Sequence, residues 1–285
     1  MIYAVIVTYN PEEEKLKSLI SSLMSSGVYP VVVDNASSLL CALPCKVIQL
    51  DSNYGIAKAQ NIGVDYILSV DTNASAVVFF DQDSSISDDV FISKLYEPIL
   101  NNRTKISAPV FIDQACGFTY PIVEIKKLGN RVKHYPSPDA AEFNVNCVIS
   151  SGTMVEVSAL KKIGFMIEGL FIDYVDTEWC LRAYSMGFDI LIVPSARMKH
   201  SIGDKTIKFG SFYIPKHSPT RRYYRIRNAF YLLRMSHVPK IMSCREIIFS
   251  IMHQTILISL SKSERRAYLN SLLRGVRDGL MGCVK

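Results

Sequence analysis

Short apolar runs and amphipathic stretches alternate from the N-terminus. "IYAVIV" (2–7) has the length and β-branched content of a strand. "EEEKLKSLISSLMSSG" (12–27) repeats apolar residues at helical spacing instead. It places Leu16, Leu19, Ile20, Leu23 and Met24 on one face, with acids in its first turn and Gly27 at its end. "PVVVDN", "KVIQL" and "VVFFDQD" read as three further strands and "GIAKAQNIGVDYIL" as a second helix. This order predicts an α/β fold with a mostly parallel central sheet and right-handed crossovers, a nucleotide-binding architecture.

The second half is less regular. "KISAPVF" and "FNVNCVISSG" read as strands separated by a connector over 126–139. "DTEWCLRAYSMG" reads as a short helix ending at Gly187, and "FDILIVP" as another strand. From about residue 205 the chain turns basic and aromatic, then helical, which marks one soft boundary.

Composition narrows the class. Hydrophobic residues make up 49% and charged residues 20% of 285, as in a folded globular chain. No run reaches about 18 uninterrupted apolar residues, and the N-terminus lacks the basic flank and cleavage site of a signal peptide, so a cytoplasmic location is expected. The 7 cysteines form no C-x-x-C pair, and Cys41 and Cys45 have no partner pair at zinc-like spacing; free thiols are expected. The net charge of +6 is unevenly spread. Residues 1–204 hold 16 basic and 23 acidic groups, whereas 205–285 hold 16 and 3. A tail of that sign seeks an anionic surface: ligand phosphate, lipid or nucleic acid.

Candidate chemistry gathers where apolar strands end in acids. "VVFFDQDSS" delivers Asp81 and Asp83 at a strand's carboxyl end, where open α/β sheets bind ligands. Two carboxylates one residue apart suit Mg2+ or Mn2+, but Asp is also common in turns, and capping of a helix starting near Asp88 explains an isolated pair equally well. "VVVDNASS" repeats the pattern with Asp34, and "TYN" (8–10) closes the first strand, so three strands are expected to feed one crevice, Asp34 beside Asp81. A second cluster, "FIDYVDTEWCLRA", crowds Asp173, Asp176 and Glu178 around the sole Trp. Asp176 can cap the helix, or act as a general base toward a hydroxyl. Neither G-x-x-x-x-G-K-[ST] nor a G-x-G-x-x-G opening the first helix is present, which disfavours P-loop NTPases and dinucleotide oxidoreductases.

Taken in order, "VIVTYNP", "VVVDNAS", "NYGIAKAQNIG", "FFDQDS", "SSGTMVEVSALKKIGFM", "LFIDYVDTEWCLRAYSMGF" and "HSPTRRYYRIRNAFYL" resemble the family-2 inverting glycosyltransferases, especially their bacterial rhamnosyltransferase branch. The resemblance implies one glycosyltransferase A-type domain over 1–204, with a donor half to about 110 and an acceptor half beyond, followed by the helical region 205–285. It implies that Thr8, Tyr9 and Asp34 line the nucleotide pocket, Asp34 accepting from a pyrimidine. Asn53, Gly55 and Asn61 match the loop and helix below that pocket, with Asn61 counted among its binding residues. Asp81 and Asp83 match the metal and ribose-diphosphate motif. Asp176 matches the catalytic base, with Asp173, Glu178, Trp179 and Arg182 around the acceptor. Many relatives carry Glu-Asp where this chain has Val175-Asp176, and Asp173 is a candidate substitute for the missing acid. His200 aligns with a histidine that in some relatives approaches the metal, although a lone His at a strand end is commonly structural.

The implied reaction is inverting transfer. Asp176 removes the acceptor proton, a divalent cation supports the leaving diphosphate, and Arg221, Arg222 and Arg225 add positive groups for phosphate. L-rhamnose from dTDP-L-rhamnose is the implied donor, a lipid-diphosphate-linked saccharide the implied acceptor, and O-antigen or capsule the product; a UDP-hexose donor is the alternative. The mixed apolar and basic stretch 244–280 fits a helix lying on the cytoplasmic membrane face, or a helical subdomain packed on the catalytic unit. A nucleotidyltransferase is disfavoured by the lack of a Gly-rich phosphate loop after the first strand. A binding protein without catalysis rests on the basic tail alone, and no nucleic-acid partner is expected.

Overall fold

The structure, a computed structural model, describes residues 1–39, 41–86, 88–113, 117–200, 206–209 and 212–282, with His200, 206–209 and 212–214 described by backbone alone. The first third follows the expected alternation: β1 (Ile2–Thr8), α1 (Glu13–Ser25), β2 (Tyr29–Asp34), β3 (Lys46–Gln49), α2 (Gly55–Val70) and β4 (Ala76–Asp81). Of the predicted α1 face, Leu16, Leu19, Ile20 and Leu23 are buried, whereas Met24 is exposed. β2, β1 and β4 are parallel neighbours, and their register decides where the polar groups go. Thr8 pairs with Asp34 on one side of β1, and Val7 pairs with Asp81 on the other. Asp34 and Asp81 thus share a sheet edge but flank β1 rather than standing side by side.

The chain continues through β5 (Ser85–Ile86), α3 (Phe91–Leu100), β6 (Ile106–Asp113), β7 (Ile122–Ile125), β8 (Arg131–His134), β9 (Phe143–Val145), β10 (Met154–Glu156), α4 (Val157–Ile163), α5 (Val175–Ser185) and β11 (Ile190–His200). The central sheet runs β3-β2-β1-β4-β10-β6-β11-β5, with β9 on β11. It is mixed: β10 lies antiparallel between β4 and β6, while β6 and β11 are parallel. Two expectations need correction. The supposed connector 126–139 contains β8, which among the described residues pairs only with β7; Arg131, Val132 and Lys133 are exposed, so no apolar alternation announces it. "FNVNCVISSG" is strand only over Phe143–Val145, because Asn146 turns to bond Ile125 through both its amide and its carbonyl oxygen.

Apolar side chains fill both faces of the sheet. Val5, Val33, Phe79 and Val155 pack toward α2, α4 and α5; Ile6, Val32, Phe80 and Met154 pack toward α1 and α3. A hairpin, β12 (Thr206–Phe209) and β13 (Phe212–Pro215), leads into α6 (Pro219–Arg234), α7 (Lys240–Leu260) and α8 (Arg265–Met281). Ser218 caps α6 and Pro219 opens it. Two of these helices pack into the body of the fold: Leu232 of α6 and Met242 of α7 share an apolar cluster with Leu181 and Ile125. Gly129 shows how closely they dock, since a Cβ there would lie 2.6 Å from the Met242 backbone nitrogen.

Candidate active site

Three loops at the carboxyl ends of β1, β2 and β4 are tied to one another. Asp34 is fully buried; its oxygens accept from Thr8 Oγ1 at 2.8 Å, from the Ser37 backbone N–H at 2.9 Å and from the Ser37 hydroxyl. Gln82 grips the Tyr9 backbone from both sides, accepting from its N–H at 2.7 Å and donating to its carbonyl at 3.3 Å. Tyr9 itself stays 51% exposed, free to present its ring to a ligand. Asn10 accepts from the Ser38 N–H and hydroxyl, both at 3.0 Å, which closes the β1 loop onto the β2 loop.

Asp81 ends β4, and Asp83 follows one residue beyond Gln82. The adjacent loop 150–152 supplies Ser151, whose hydroxyl contacts the Ser84 hydroxyl at 2.7 Å. Burial and the Asp83 charge push the Asp81 carboxyl up to about 6, while Arg221 pulls it down. Among the described residues, no group of three or more His, Cys, Asp and Glu side chains could hold a metal ion by itself. Two crowded carboxylates do fit a hard cation completed by water and ligand oxygens, because positive charge there relieves the repulsion that raises Asp81. The His200 side chain, a candidate third ligand, lies outside the described residues.

Asp176 stands in the first turn of α5. Its Oδ2 accepts from the Ser150 N–H at 3.2 Å. Burial, then the charge of Asp81, pushes its carboxyl up to about 6 despite that bond. The two acids therefore sense each other across one crevice. On its other side Asp176 bounds a cleft of about 310 Å3 walled by Phe111, Tyr120, Ile122, Val148 and Ile149. An anion at the helix N-terminus, half desolvated and facing open space, is equipped to accept a proton from an incoming hydroxyl.

The segment before α5 is wound left-handed at Phe171 (φ 64°), Asp173 (φ 62°) and Tyr174 (φ 63°), a conformation L-residues rarely adopt. α6 holds it there. Asn228, fully buried, donates to the carbonyls of Leu170, Ile172 and Asp173 at 2.8, 2.9 and 3.1 Å. Asp173 accepts from Arg221 Nε at 3.3 Å and from Arg225 Nη1 at 3.2 Å, and Arg225 also lies over the Tyr174 ring at 5.2 Å. Asp173 thus holds two guanidiniums, of which Arg221 is close enough to Asp81 to lower its pKa. Asn228, Gln82 and Ser150 are contributors that sequence reasoning missed; "RIRNAFYL" contained Asn228, but only its arginines suggested chemistry.

Several expected ligand contacts are replaced by internal bonds. Glu178, fully buried, pairs with Arg182 Nε at 2.8 Å and with His237 at 2.9 Å. Arg182 also donates to the Ile163 and Phe165 carbonyls, and Trp179 Nε1 to that of Gly164 at 2.8 Å. These three residues latch α5 to the turn after α4 rather than opening onto the cleft. Asn61 bonds both the Met166 N–H and its carbonyl, so it buckles α2 to that turn instead of lining a nucleotide pocket. Arg222 is fully buried and donates to Gln254 Oε1 at 2.8 Å and the Ser250 carbonyl at 2.6 Å, which ties α6 to α7. Burial lowers its pKa to about 10.

Comparison with known proteins agrees with this geometry. Residues 3–164 match the family model described as glycosyl transferase family 2. Over 287 residues the chain is 46% identical to dTDP-rhamnosyl transferase RfbF of Shigella flexneri, covering 99% of this chain and 96% of that one. Low-salt glycan biosynthesis hexosyltransferase Agl10 of Haloferax volcanii is 27% identical over 191 residues, 63% of this chain and 60% of its own. Among solved structures, GalNAc-T7 with UDP, GalNAc and Mn2+ superposes with a TM-score of 0.59 at 13% identity, over 98% of this chain and 55% of that one. The mannosyltransferase PcManGT of Pyrobaculum calidifontis, in complex with GDP-Man and Mn2+, gives 0.53 at 11% identity over 98% and 87%. The shared fold is the glycosyltransferase A type. With more than half its length matched by the family model and a relative aligned nearly end to end, the chain belongs to glycosyl transferase family 2 and is a glycosyltransferase.

Proposed function

We propose that the protein transfers L-rhamnose from dTDP-L-rhamnose, with inversion, to a hydroxyl of a lipid-diphosphate-linked saccharide at the cytoplasmic face of the membrane, in synthesis of a bacterial surface polysaccharide such as O-antigen or capsule. The observation that carries the reaction type is the shared crevice: Asp176 and the Asp81 motif interact electrostatically, with open space beside the former. The choice of donor is supported by the full-length similarity to a protein named a dTDP-rhamnosyl transferase.

In this reading Thr8, Tyr9 and Asp34 form the floor of the nucleotide pocket. Asp34 does so mainly by fixing the β1 and β2 loops, since Thr8 and Ser37 already occupy its oxygens. Asp176 takes the proton from the acceptor hydroxyl, whose oxygen forms a bond to the anomeric carbon as the bond to the diphosphate oxygen breaks on the opposite face. Arg221, with Arg225 behind it, supplies charge toward the leaving phosphates. Asp81 and Asp83 hold a divalent cation, as the Mn2+ in both structural relatives suggests; when bound, it neutralises charge developing on the diphosphate. A UDP-hexose donor is the second reading, favoured by the similarity to a hexosyltransferase.

Nucleoside diphosphate release from dTDP-rhamnose, UDP-glucose and UDP-galactose, with a membrane lipid extract as acceptor, tests the proposal. Acceptor-dependent release from dTDP-rhamnose is expected. Release only from a UDP-sugar transfers the assignment to that donor, and no release from any donor contradicts glycosyl transfer to such a lipid.

A further inference from the structure

Among the described residues, α7 is the one helix long and apolar enough to cross a membrane, judged by length and composition. Its packing reverses that of an ordinary surface helix. The stripe turned inward is largely polar: Ser243, Glu246, Ser250 and Gln254 are each at most 4% exposed. They are inside because they meet polar partners. Arg222 reaches the Gln254 side chain and the Ser250 carbonyl, Gln254 Nε2 donates to the Tyr268 carbonyl at 2.7 Å, and Glu246 accepts from Arg131 at 2.8 Å and from the Tyr174 hydroxyl at 3.1 Å. From Ile241 to Met252 the outward stripe is apolar, with Ile241, Ile248, Phe249 and Met252 54–58% exposed; Thr255 and Ser259, exposed beyond it, turn their hydroxyls back to the Ile251 and Thr255 carbonyls. Steps of seven and four residues between Ile241, Ile248 and Met252 keep them on one face.

Charge says what this face meets. Exposed Lys240 precedes the stripe, and exposed Lys262, Arg265 and Arg266 follow it. Arg265 is held at the end of α7 by donating from Nε to the Ile258 carbonyl at 3.1 Å. The nearby acids do not offset this rim, since Glu246 is buried and Glu264 pairs with Lys216 at 2.5 Å. Two copies facing each other would juxtapose like-charged tails, each with 16 basic against 3 acidic groups over 205–285. A bilayer with anionic headgroups complements both the apolar stripe and its basic ends.

We propose that α7 lies in the plane of an anionic bilayer, with Ile241, Ile248, Phe249 and Met252 at the acyl boundary and the flanking Lys and Arg at headgroup phosphates. It does not cross, because crossing would strip Arg222 and Glu246 of the partners named above. The inference rests on the proposed lipid-borne acceptor for its purpose, but binding is read without turnover, so the two readings fail separately. The experiment is co-sedimentation of the full chain with vesicles of phosphatidylcholine alone and of equal phosphatidylcholine and phosphatidylglycerol, at low and high salt. Wild type is expected to pellet with the anionic vesicles only, and less at high salt. The exposed-site variant Ile248→Asp/Met252→Asp should lose roughly tenfold or more of that partitioning with an unchanged melting temperature. Arg265→Glu/Arg266→Glu should lose the salt-sensitive part. No pelleting of wild type with anionic vesicles, or full pelleting of Ile248→Asp/Met252→Asp, overturns the proposal. So does a dimer in light scattering that this apolar-face variant abolishes while no vesicle is bound.

Discussion

At Asp176 two effects act on one proton in opposite directions. The helix N-terminus and the Ser150 N–H favour the anion, whereas burial and the neighbouring Asp81 charge disfavour it, and the second pair wins. A base whose pKa is about 6 is ionised at neutral pH yet more basic than a free aspartate. Burial, the larger cause, persists when a cation offsets the Asp81 charge, so turnover should rise with pH toward about 6 and level off above it, and Asp176→Asn should lower turnover by roughly 10²–10⁴-fold across the range, as read by nucleoside diphosphate release. Stability runs the other way. A carboxyl whose folded pKa is raised binds its proton more tightly when folded, so its ionisation is a cost that is complete above about 6 and vanishes as pH falls toward 4. Asp176→Asn is thus expected to melt above wild type at pH 7.5, by on the order of 1–3 kcal/mol, with the gap closing near pH 4. Thermal denaturation of both proteins at several pH values checks this.

The elements that carry the site are held by contacts rather than by their own preferences. Three left-handed residues between Phe171 and Tyr174 place Asp173 and α5, and Asn228 on α6 supplies the bonds that keep them so. α2 closes on the same segment: the Ile56 N–H donates to the Phe171 carbonyl at 2.8 Å, and Gly55 sits at φ 83° with that oxygen 2.5 Å from where a Cβ would be. Gly55→Ala should therefore destabilise the chain by about 1–3 kcal/mol, measured by denaturant titration. Asn228→Ala leaves three carbonyls without this donor; kcat should fall more than donor KM rises, because the groups proposed to bind the donor sit on other loops. This level of organisation explains what the sequence could convey. β1, β2, β4, α1 and α2 were legible because each buries a regular apolar set, and Asp34, Asp81 and Asp176 because each ends or begins such an element. β8 and β10 were not, being short and set by pairing with distant strands. Glu178, Arg182, Asn61 and Arg222 carry charge or amide groups in family-like motifs, but only tertiary structure shows the internal bonds they make: Glu178 to Arg182, Asn61 to the Met166 backbone and Arg222 to Gln254.

Across the whole molecule, negative and positive halves meet at the crevice. Asp81, Asp83, Asp173 and Asp176 come from the body, whose groups over 1–204 total 16 basic and 23 acidic; from the basic tail Arg221 and Arg225 pair with Asp173, and Arg221 also lowers the pKa of Asp81. α6 is thus part of the site's electrostatics. A cation at Asp81 and Asp83 should relieve the like-charge repulsion, so Mg2+ or Mn2+ is expected to raise the melting temperature at pH 7.5 and to have little effect in Asp83→Ala. Chelation should abolish transfer in the wild type. The most direct test of the central claim is acceptor-dependent nucleoside diphosphate release from dTDP-rhamnose as a function of pH, for wild type and Asp176→Asn in parallel. The account predicts a wild-type profile that rises through about pH 6 and a variant reduced at every pH. Full activity of Asp176→Asn, or a wild-type rate indifferent to pH between 5 and 7, would contradict it.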